Sequence, residues 1–251
     1  VQLLLMTGKT ALITGAAAGI GAAIAREFCE QGARVWLLDK DEPSLRQLVE
    51  RLQGQMKPAA MCVADITNTG EVDAAITAIQ QEIGCLDILV NNAGVDTRHS
   101  FLQMTEAQWL SMLDVNLNGA YRCTRLVAPR MVERRAGKVI HISSVTFHCG
   151  LKQLTHYISA KGGLVGFTRA LARELGEFNV HVNCITPGAI LTERESRTVT
   201  PEQAASVIQL QSLQRRILPE DIARTCVFLA TEWSDGITGQ TINVDGGWVM
   251  H

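Results

Sequence analysis

The chain has 251 residues, 47% of them hydrophobic, and a formal net charge of −2. That length and apolar share suit a folded domain with a large buried core, and the near-neutral charge excludes a general pull toward nucleic acid or anionic membrane. Cys29, Cys62, Cys85, Cys123, Cys149, Cys184 and Cys226 are odd in number and hold no Cys-x-x-Cys pair, which predicts free thiols in a reducing cytoplasm and no metal site; no apolar run is long enough to span a bilayer.

The opening residues 1–6 are apolar but lack the charged start and cleavage site of a signal peptide, so they read as a lead-in to a fold beginning near Gly8. Residues 10–14 predict a first strand. It runs into Gly15-Ala16-Ala17-Ala18-Gly19-Ile20-Gly21, and a helical pattern follows over 20–30. Glycines at such a turn permit the tight bend, the approach of backbone to a pyrophosphate, and close helix–strand packing. The helix start then favours a phosphate through its free N–H groups and dipole.

A second strand over 34–38 ends at Asp39, 18 residues past Gly21. A carboxylate there can accept hydrogen bonds from the ribose hydroxyls of an adenine nucleotide and would repel a 2′-phosphate, which favours NAD over NADP. Lys40 weakens that exclusion slightly. A helix over 42–52 and a strand over 59–64 lead to Asp65 and Ile66, where Asp65 either meets the adenine edge or caps the next helix. Further helices are predicted over 71–83, 106–134, 157–177 and 221–230, and further strands over 86–90, 138–143, 180–186 and 240–244.

Most of these strands lack polar alternation, as expected for strands covered on both faces. The alternation of strand and helix implies a doubly wound α/β fold: seven mostly parallel strands with helices on both faces, in a single domain without a linker or repeat. Residues 189–219 are the least regular part. They carry Glu193, Arg194, Glu195, Arg197, Arg215 and Arg216, and predict either a substrate lid or a solvated surface helix.

Tyr157 and Lys161 are spaced i, i+4 on a predicted helix and so share a face. Ser144 follows the fifth strand, at the sheet end where ligands of parallel sheets bind. A phenol with a usual pKa of about 10 is a poor base at neutral pH, and a nearby ammonium stabilises its ionised form. Lowering that pKa by about 3 units takes about 4 kcal/mol, a large demand on one lysine, so a positively charged nicotinamide is expected to share it.

With Thr14-Gly15-x-x-x-Gly19-x-Gly21, Asn91-Asn92-Ala93-Gly94, Asn116, Ser144, Tyr157-x-x-x-Lys161 and Pro187-Gly188 in this order and spacing, the sequence resembles the short-chain dehydrogenase/reductase family from Gly8 to Met250. The resemblance implies a Rossmann fold and a hydride transfer between an alcohol or carbonyl and a nicotinamide. By it, Tyr157 is the general acid/base and Ser144 hydrogen-bonds the same substrate oxygen. Lys161 holds the nicotinamide ribose and depresses the tyrosine pKa, and Asn116 positions a water linking Lys161 to solvent. Asn91, Ala93 and Gly94 shape the cofactor wall, with Gly15, Ala18, Gly19, Ile20, Gly21, Asp39, Asp65 and Ile66 on the nucleotide half. After Pro187-Gly188, Ile190 and Thr192 meet the carboxamide, unless Thr192 is a helix cap. Gly162 and Gly163 are expected to let a second subunit's backbone approach, since the family packs this helix on its symmetry mate in a homotetramer; the segment near Trp248 is a second expected contact.

Thr146, His148, Gln153 and Leu154 are expected on the substrate side, with His99 equally readable as loop surface. Residues 155–161 and 244–251 are similar to NAD-linked secondary and aromatic alcohol dehydrogenases, so the expected substrate is a small secondary alcohol, aromatic, polyol or sugar-like. An NAD(P)H-dependent 3-oxoacyl-thioester reductase is the rival reading, and a non-catalytic nucleotide-binding regulator a distant one. The regulator would be expected to lose Ser144, Tyr157 or Lys161, and none is lost.

Overall fold

The computed structural model describes residues 4–55, 57–196 and 200–250, without the side chains of Arg194 and Ser196. The first three residues of the lead-in, Arg197 of the polar segment and the terminal His251 lie outside the described residues.

Among the described residues, β1 (Thr10–Thr14), β2 (Arg34–Asp39), β3 (Ala59–Val63), β4 (Ile88–Asn91), β5 (Gly137–Ile142), β6 (Val180–Pro187) and β7 (Thr241–Val244) form one sheet. The order is β3-β2-β1-β4-β5-β6-β7, and every neighbouring pair is parallel. Parallel neighbours require crossovers, and helices supply them. They are α1 (Gly19–Glu30), α2 (Glu42–Gly54), α3 (Thr69–Ile83), α4 (Glu106–Leu113), α5 (Gly119–Arg134), α6 (Thr146–Cys149), α7 (Thr155–Leu175), α8 (Glu193–Ser196), α9 (Pro201–Gln209) and α10 (Pro219–Ala230).

The central strands are buried on both faces, which explains their unbroken apolar runs. One face packs Ile13, Leu37, Val90 and Ile185 against Ile24, Phe28, Leu45 and Ile222 of α1, α2 and α10. The other packs Leu12, Trp36, Leu89, Val139 and Val182 against Ile76, Val127, Met131 and Ala172 of α3, α5 and α7. The strand order reverses between β1 and β4, so a crevice opens beyond their carboxyl ends.

Three departures from the sequence-based elements have local causes. β4 starts at Ile88, because Asp87 is engaged by Thr10, whose N–H and hydroxyl donate to its carboxylate at 2.7 and 2.8 Å. The helix expected over 106–134 is interrupted by a π-helical stretch, Asp114–Asn118. Such bulges insert into an otherwise continuous helix and re-aim side chains; here the side chain so placed is Asn116. Finally, the polar segment 189–219 contains α8 and α9. Thr200 and Gln203 form a reciprocal capping box at the start of α9, with Pro201 in its first turn.

Candidate active site

The nucleotide half is built on the turn after β1. Gly15 has φ +64°, and a Cβ on it would lie 2.6 Å from the Ala93 Cα. A Cβ on Gly21 would lie 2.1 Å from the Gly15 carbonyl oxygen, so the turn closes only with glycine there. Thr14 and Asn92 lock this turn to the loop after β4. The Thr14 hydroxyl oxygen accepts from the Asn92 and Ala93 N–H groups, both at 3.0 Å, and the Asn92 amide donates to the Thr14 and Gly15 carbonyls at 2.9 and 3.0 Å. Ala18 takes the N-cap position of α1 with no side-chain cap, and no acidic residue occupies the first turn, which includes Ile20. The first N–H groups of this helix thus have no side-chain acceptor and suit an anion.

The Asp39 carboxylate accepts from Ala17 N–H at 3.0 Å and Asp41 N–H at 3.1 Å, tying the end of β2 to the glycine turn. A carboxylate has about four acceptor sites, so capacity remains for a diol. Lys40 is not free: it pairs with Asp65 at 3.2 Å. Asp65 does not cap α3, whose N-cap is Asn68. Its carboxylate instead accepts from Thr67 N–H and hydroxyl, and these bonds, with Lys40, hold its pKa below the usual range. Ile66 is buried against Gly119, where any Cβ would meet it.

The other half gathers at the ends of β4, β5 and β6. Lys161 on α7 is buried, and its Nζ donates to the Ile142 carbonyl at 2.9 Å while lying 5.6 Å from the Tyr157 ring centroid. Burial pulls its pKa down to about 8. Tyr157 is half-buried, and the Ser144 hydroxyl hydrogen-bonds it. The Ser144 oxygen also accepts from Thr146 N–H at 3.2 Å and Thr146 hydroxyl at 3.0 Å. With those acceptor sites used, its own proton is directed onward. In the chain without cofactor, burial pushes the Tyr157 phenol up to about 12, opposed by Ser144 and reinforced by the Asp96 carboxylate.

Asn116 sits between these halves. Its amide forms a two-way bond with Val95, accepting from Val95 N–H at 3.2 Å and donating to the Val95 carbonyl at 2.9 Å. A Cβ on Gly94 would lie 2.7 Å from Asn116 Oδ1 and 3.2 Å from Lys161 Nζ, so these three positions converge. The Asn91 side chain turns away into the core, donating to the Thr124 hydroxyl at 3.0 Å. Val145 N–H donates to the Pro187 carbonyl, and Gly188 N–H to Val244, joining the strand ends. Ile190 bridges Ile217, and Thr192 lies over the glycine turn, 3.4 Å from where a Gly19 Cβ would be. Thr192 is also a cap, since its hydroxyl accepts from Glu195 N–H at 3.2 Å.

Of the expected substrate-side residues, Thr146 touches Ser144 directly, and Leu154 is buried at the start of α7. His148 lies beside Phe147. Gln153, at φ +65°, gives its carbonyl to His99 N–H at 2.9 Å, which closes the 92–100 loop onto the start of α7. Sequence reasoning missed Asp96, which acts electrostatically on both Tyr157 and Lys161. Gly162 and Gly163 make room within this chain, since a Cβ on either would strike its own Phe147 or Leu117 at 2.9 Å. The open position on α7 is Gly166, with nothing within 4 Å.

A doubly wound parallel sheet with this glycine turn, a carboxylate closing β2 and a Ser–Tyr–Lys cluster across the crevice defines a nicotinamide-dependent oxidoreductase, and the chain belongs to the short-chain dehydrogenase/reductase family. A family model described as enoyl-(acyl carrier protein) reductase matches residues 15–249. The chain is 41% identical to a D-xylose 1-dehydrogenase of Caulobacter vibrioides, over 97% of this chain and 96% of that protein. It is 35% identical to a 3-oxoacyl-[acyl-carrier-protein] reductase of Thermotoga maritima, over 98% and 99%. A solved structure described as a candidate gluconate dehydrogenase from Agrobacterium tumefaciens superposes with a TM-score of 0.94 at 34% identity, covering 99% of this chain and 100% of that one. The enzyme acts on a small-molecule substrate, and no helix among the described residues is long and apolar enough to cross a membrane.

Proposed function

We propose that the protein oxidises a hydroxyl of a small polyhydroxylated alcohol, such as the anomeric hydroxyl of an aldose, with NAD as hydride acceptor, in a single catalytic domain with residues 189–219 as its lid. The observation that carries this reading is the Ser144–Tyr157–Lys161 cluster facing the glycine turn across the β1/β4 crevice. Similarity to a D-xylose 1-dehydrogenase over nearly the whole chain supports the sugar-like substrate.

When bound, the oxidised nicotinamide supplies the hydride acceptor and a positive charge near the phenol. Tyr157 takes the hydroxyl proton as the carbon loses hydride. Ser144, fixed as an acceptor by Thr146, turns its own proton toward the reacting oxygen and orients it. Lys161 holds the ribose with the hydrogens not given to Ile142 and keeps the site electropositive. Asn116 anchors the loop that carries Gly94 and holds the water that continues the proton path. Burial holds the phenol above its ordinary value in the chain without cofactor, so the Lys161 ammonium and the nicotinamide charge would together have to lower it for Tyr157 to act as a base.

NAD would be preferred because Asp39 has acceptor capacity for both ribose hydroxyls, and because Lys40 is drawn to Asp65 rather than left for a 2′-phosphate. The assembly is a homotetramer, supported by the smooth Gly166 position on α7 and by Leu110 and Tyr121, each more than half exposed, on α4 and α5. Free cysteines support a cytoplasmic setting. A second reading, an NADPH-dependent 3-oxoacyl-thioester reductase, is favoured by the Thermotoga relative and by the cation beside Asp39. One experiment separates the two: initial rates with NAD and NADP against D-xylose, other aldoses, aldonates, 1-phenylethanol and a 3-hydroxyacyl thioester. Fast NAD reduction with an aldose is expected. Turnover of the thioester alone, with NADP, would replace the first reading by the second.

A further inference from the structure

The π-helical stretch Asp114–Asn118 is held from outside its own backbone. Arg122 stands in the first turn of α5, with its side chain only 15% exposed, and its guanidinium reaches back over the stretch. One terminal nitrogen donates to the Asp114 carboxylate at 2.6 Å. The other donates to the Asp114 carbonyl at 3.4 Å and to the Ile66 carbonyl at 3.2 Å, and Nε donates to the Thr69 hydroxyl at 3.1 Å. The Asn118 amide joins the same Asp114 carboxylate oxygen at 3.1 Å, and Gly119 N–H donates to the Asp114 carbonyl. One side chain thus ties the first residue of the stretch to the loop after β3 and to the start of α3. An arginine suits this, because its planar fork offers five donors at once and a lysine ammonium does not.

A π-helical turn holds one residue more than an α-helical one, and such turns are rare away from functional sites. Closing it to an α-helix would rotate one side against the other by about 100°. The residues beyond it are already seated: a Cβ on Gly119 would lie 2.6 Å from Ile66, and Leu117 fills the space over Gly163. Asn116 in the middle is buried, and its amide donates to the Met112 carbonyl at 3.1 Å and the Val95 carbonyl at 2.9 Å while accepting from Val95 N–H. A rotation there would break both Val95 bonds and carry Asn116 Oδ1 away from Gly94 and Lys161. An exposed ion pair contributes little to stability, but Arg122 is mostly enclosed, and its donors go to three separate segments.

We propose that Arg122 is a positioning residue: by clamping Asp114 it keeps the π-helical stretch in the register that turns Asn116 toward Val95 and Lys161. This rests on the dehydrogenase reading above, in which Asn116 continues the proton path from Lys161, and it assigns the group that sets Asn116 in place.

The test is a double-variant comparison joined to hydrogen exchange. Steady-state rates, with the cofactor and the fastest substrate of the panel above, are measured in the wild type, Arg122→Met, Asp114→Ala, Asn116→Ala and the double variant Arg122→Met/Asn116→Ala. Misplacing a group of the site by about 1 Å can cost about 100-fold. Arg122→Met and Asp114→Ala should each lower kcat by about 10- to 100-fold, with a much smaller change in the KM for the substrate. In the Asn116→Ala background Arg122→Met should cost less than about 3-fold more, because the group it positions is gone. The Val95 amide should exchange at least about 10-fold faster in Arg122→Met, while the amides of β1 and β6 keep their protection; this readout needs no substrate. Thermal unfolding checks that each variant is folded, and Asp114→Ala carries the comparison if Arg122→Met is not. If the losses multiply in the double variant, or if Val95 keeps its wild-type protection in Arg122→Met, Arg122 is only a structural support, and the dehydrogenase reading stands. If Asn116→Ala itself keeps wild-type turnover, the proton path through Asn116 falls and the proposal falls with it.

Discussion

The clustering of Ser144, Tyr157 and Lys161 was legible in the sequence because the i, i+4 spacing puts Tyr157 and Lys161 on one helix face and Ser144 follows the fifth strand. What the sequence did not show was their environment. The i, i+4 relation places Lys161 below Tyr157, yet the ammonium is buried, donates a hydrogen bond to the Ile142 carbonyl and has its pKa pulled down to about 8 by burial. Tyr157→Phe keeps the ring and removes the oxygen, and it should lower kcat by at least about 10⁴-fold, the upper end for a general acid–base group, since the same oxygen also orients the substrate. Cofactor binding, followed by fluorescence titration, should change little. Lys161→Ala should weaken cofactor binding as well as rate, and it should move the rising, acid-side limb of the oxidation pH profile to higher pH. Retention of most of the turnover in Tyr157→Phe would remove the assignment. Asp96 escaped notice because a lone aspartate in an irregular loop has no spacing that marks it.

At the scale of elements, the strands and most helices were legible because their apolar runs must be buried on both sheet faces. The π-helical stretch was not, since residues 106–134 carry one continuous helical pattern, and the bulge exists to turn Asn116 toward Val95. The Gly162-Gly163 pair shows the limit from the other side. A sequence reveals that small residues are required, but not which neighbour fills the space, and here it is Phe147 and Leu117. The glycine turn gives a sharper test. In Gly21→Ala the new methyl would sit 2.1 Å from the Gly15 carbonyl, which itself is locked by Asn92, so the turn must open. The expected result is a loss of cofactor affinity of at least about 10-fold with smaller loss of thermal stability, because the phosphate site depends on that geometry more than the core does. Wild-type affinity in a folded Gly21→Ala protein would show that the turn does not bind the phosphates.

At the scale of the whole molecule, two properties follow from buried surfaces. If α4, α5 and α7 form the subunit contact, Gly166→Glu places a charge on its open face and should shift a homotetramer toward smaller species in light scattering at micromolar concentration. An unchanged mass in that variant would move the contact elsewhere.

The second property is acid sensitivity centred on β5. His141 is fully buried, its ring packs on Phe167 at 5.2 Å, and neither ring nitrogen has a hydrogen-bond partner among the described residues. Burial first, and then the Lys161 charge, pull its pKa down to about 3. The unfolded chain has an ordinary histidine that takes up a proton below about pH 6.5, while the folded protein refuses it until about pH 3. In that window the unfolded state binds more protons, so stability falls as pH falls. From pH 6.5 to 5 the loss attributable to His141 is about 2 kcal/mol. His156 and His181, also pulled down by burial, add to it in the same direction. Asp65, Asp221 and Asp235, held below the usual range by their hydrogen bonds, contribute only lower, under about pH 4. Urea unfolding at pH 7, 6 and 5 should therefore show a slope that His141→Leu reduces by about one proton's worth, about 1.4 kcal/mol per pH unit below the histidine range. An equal slope in wild type and His141→Leu would mean that this histidine finds a proton partner in the folded protein and is not held neutral.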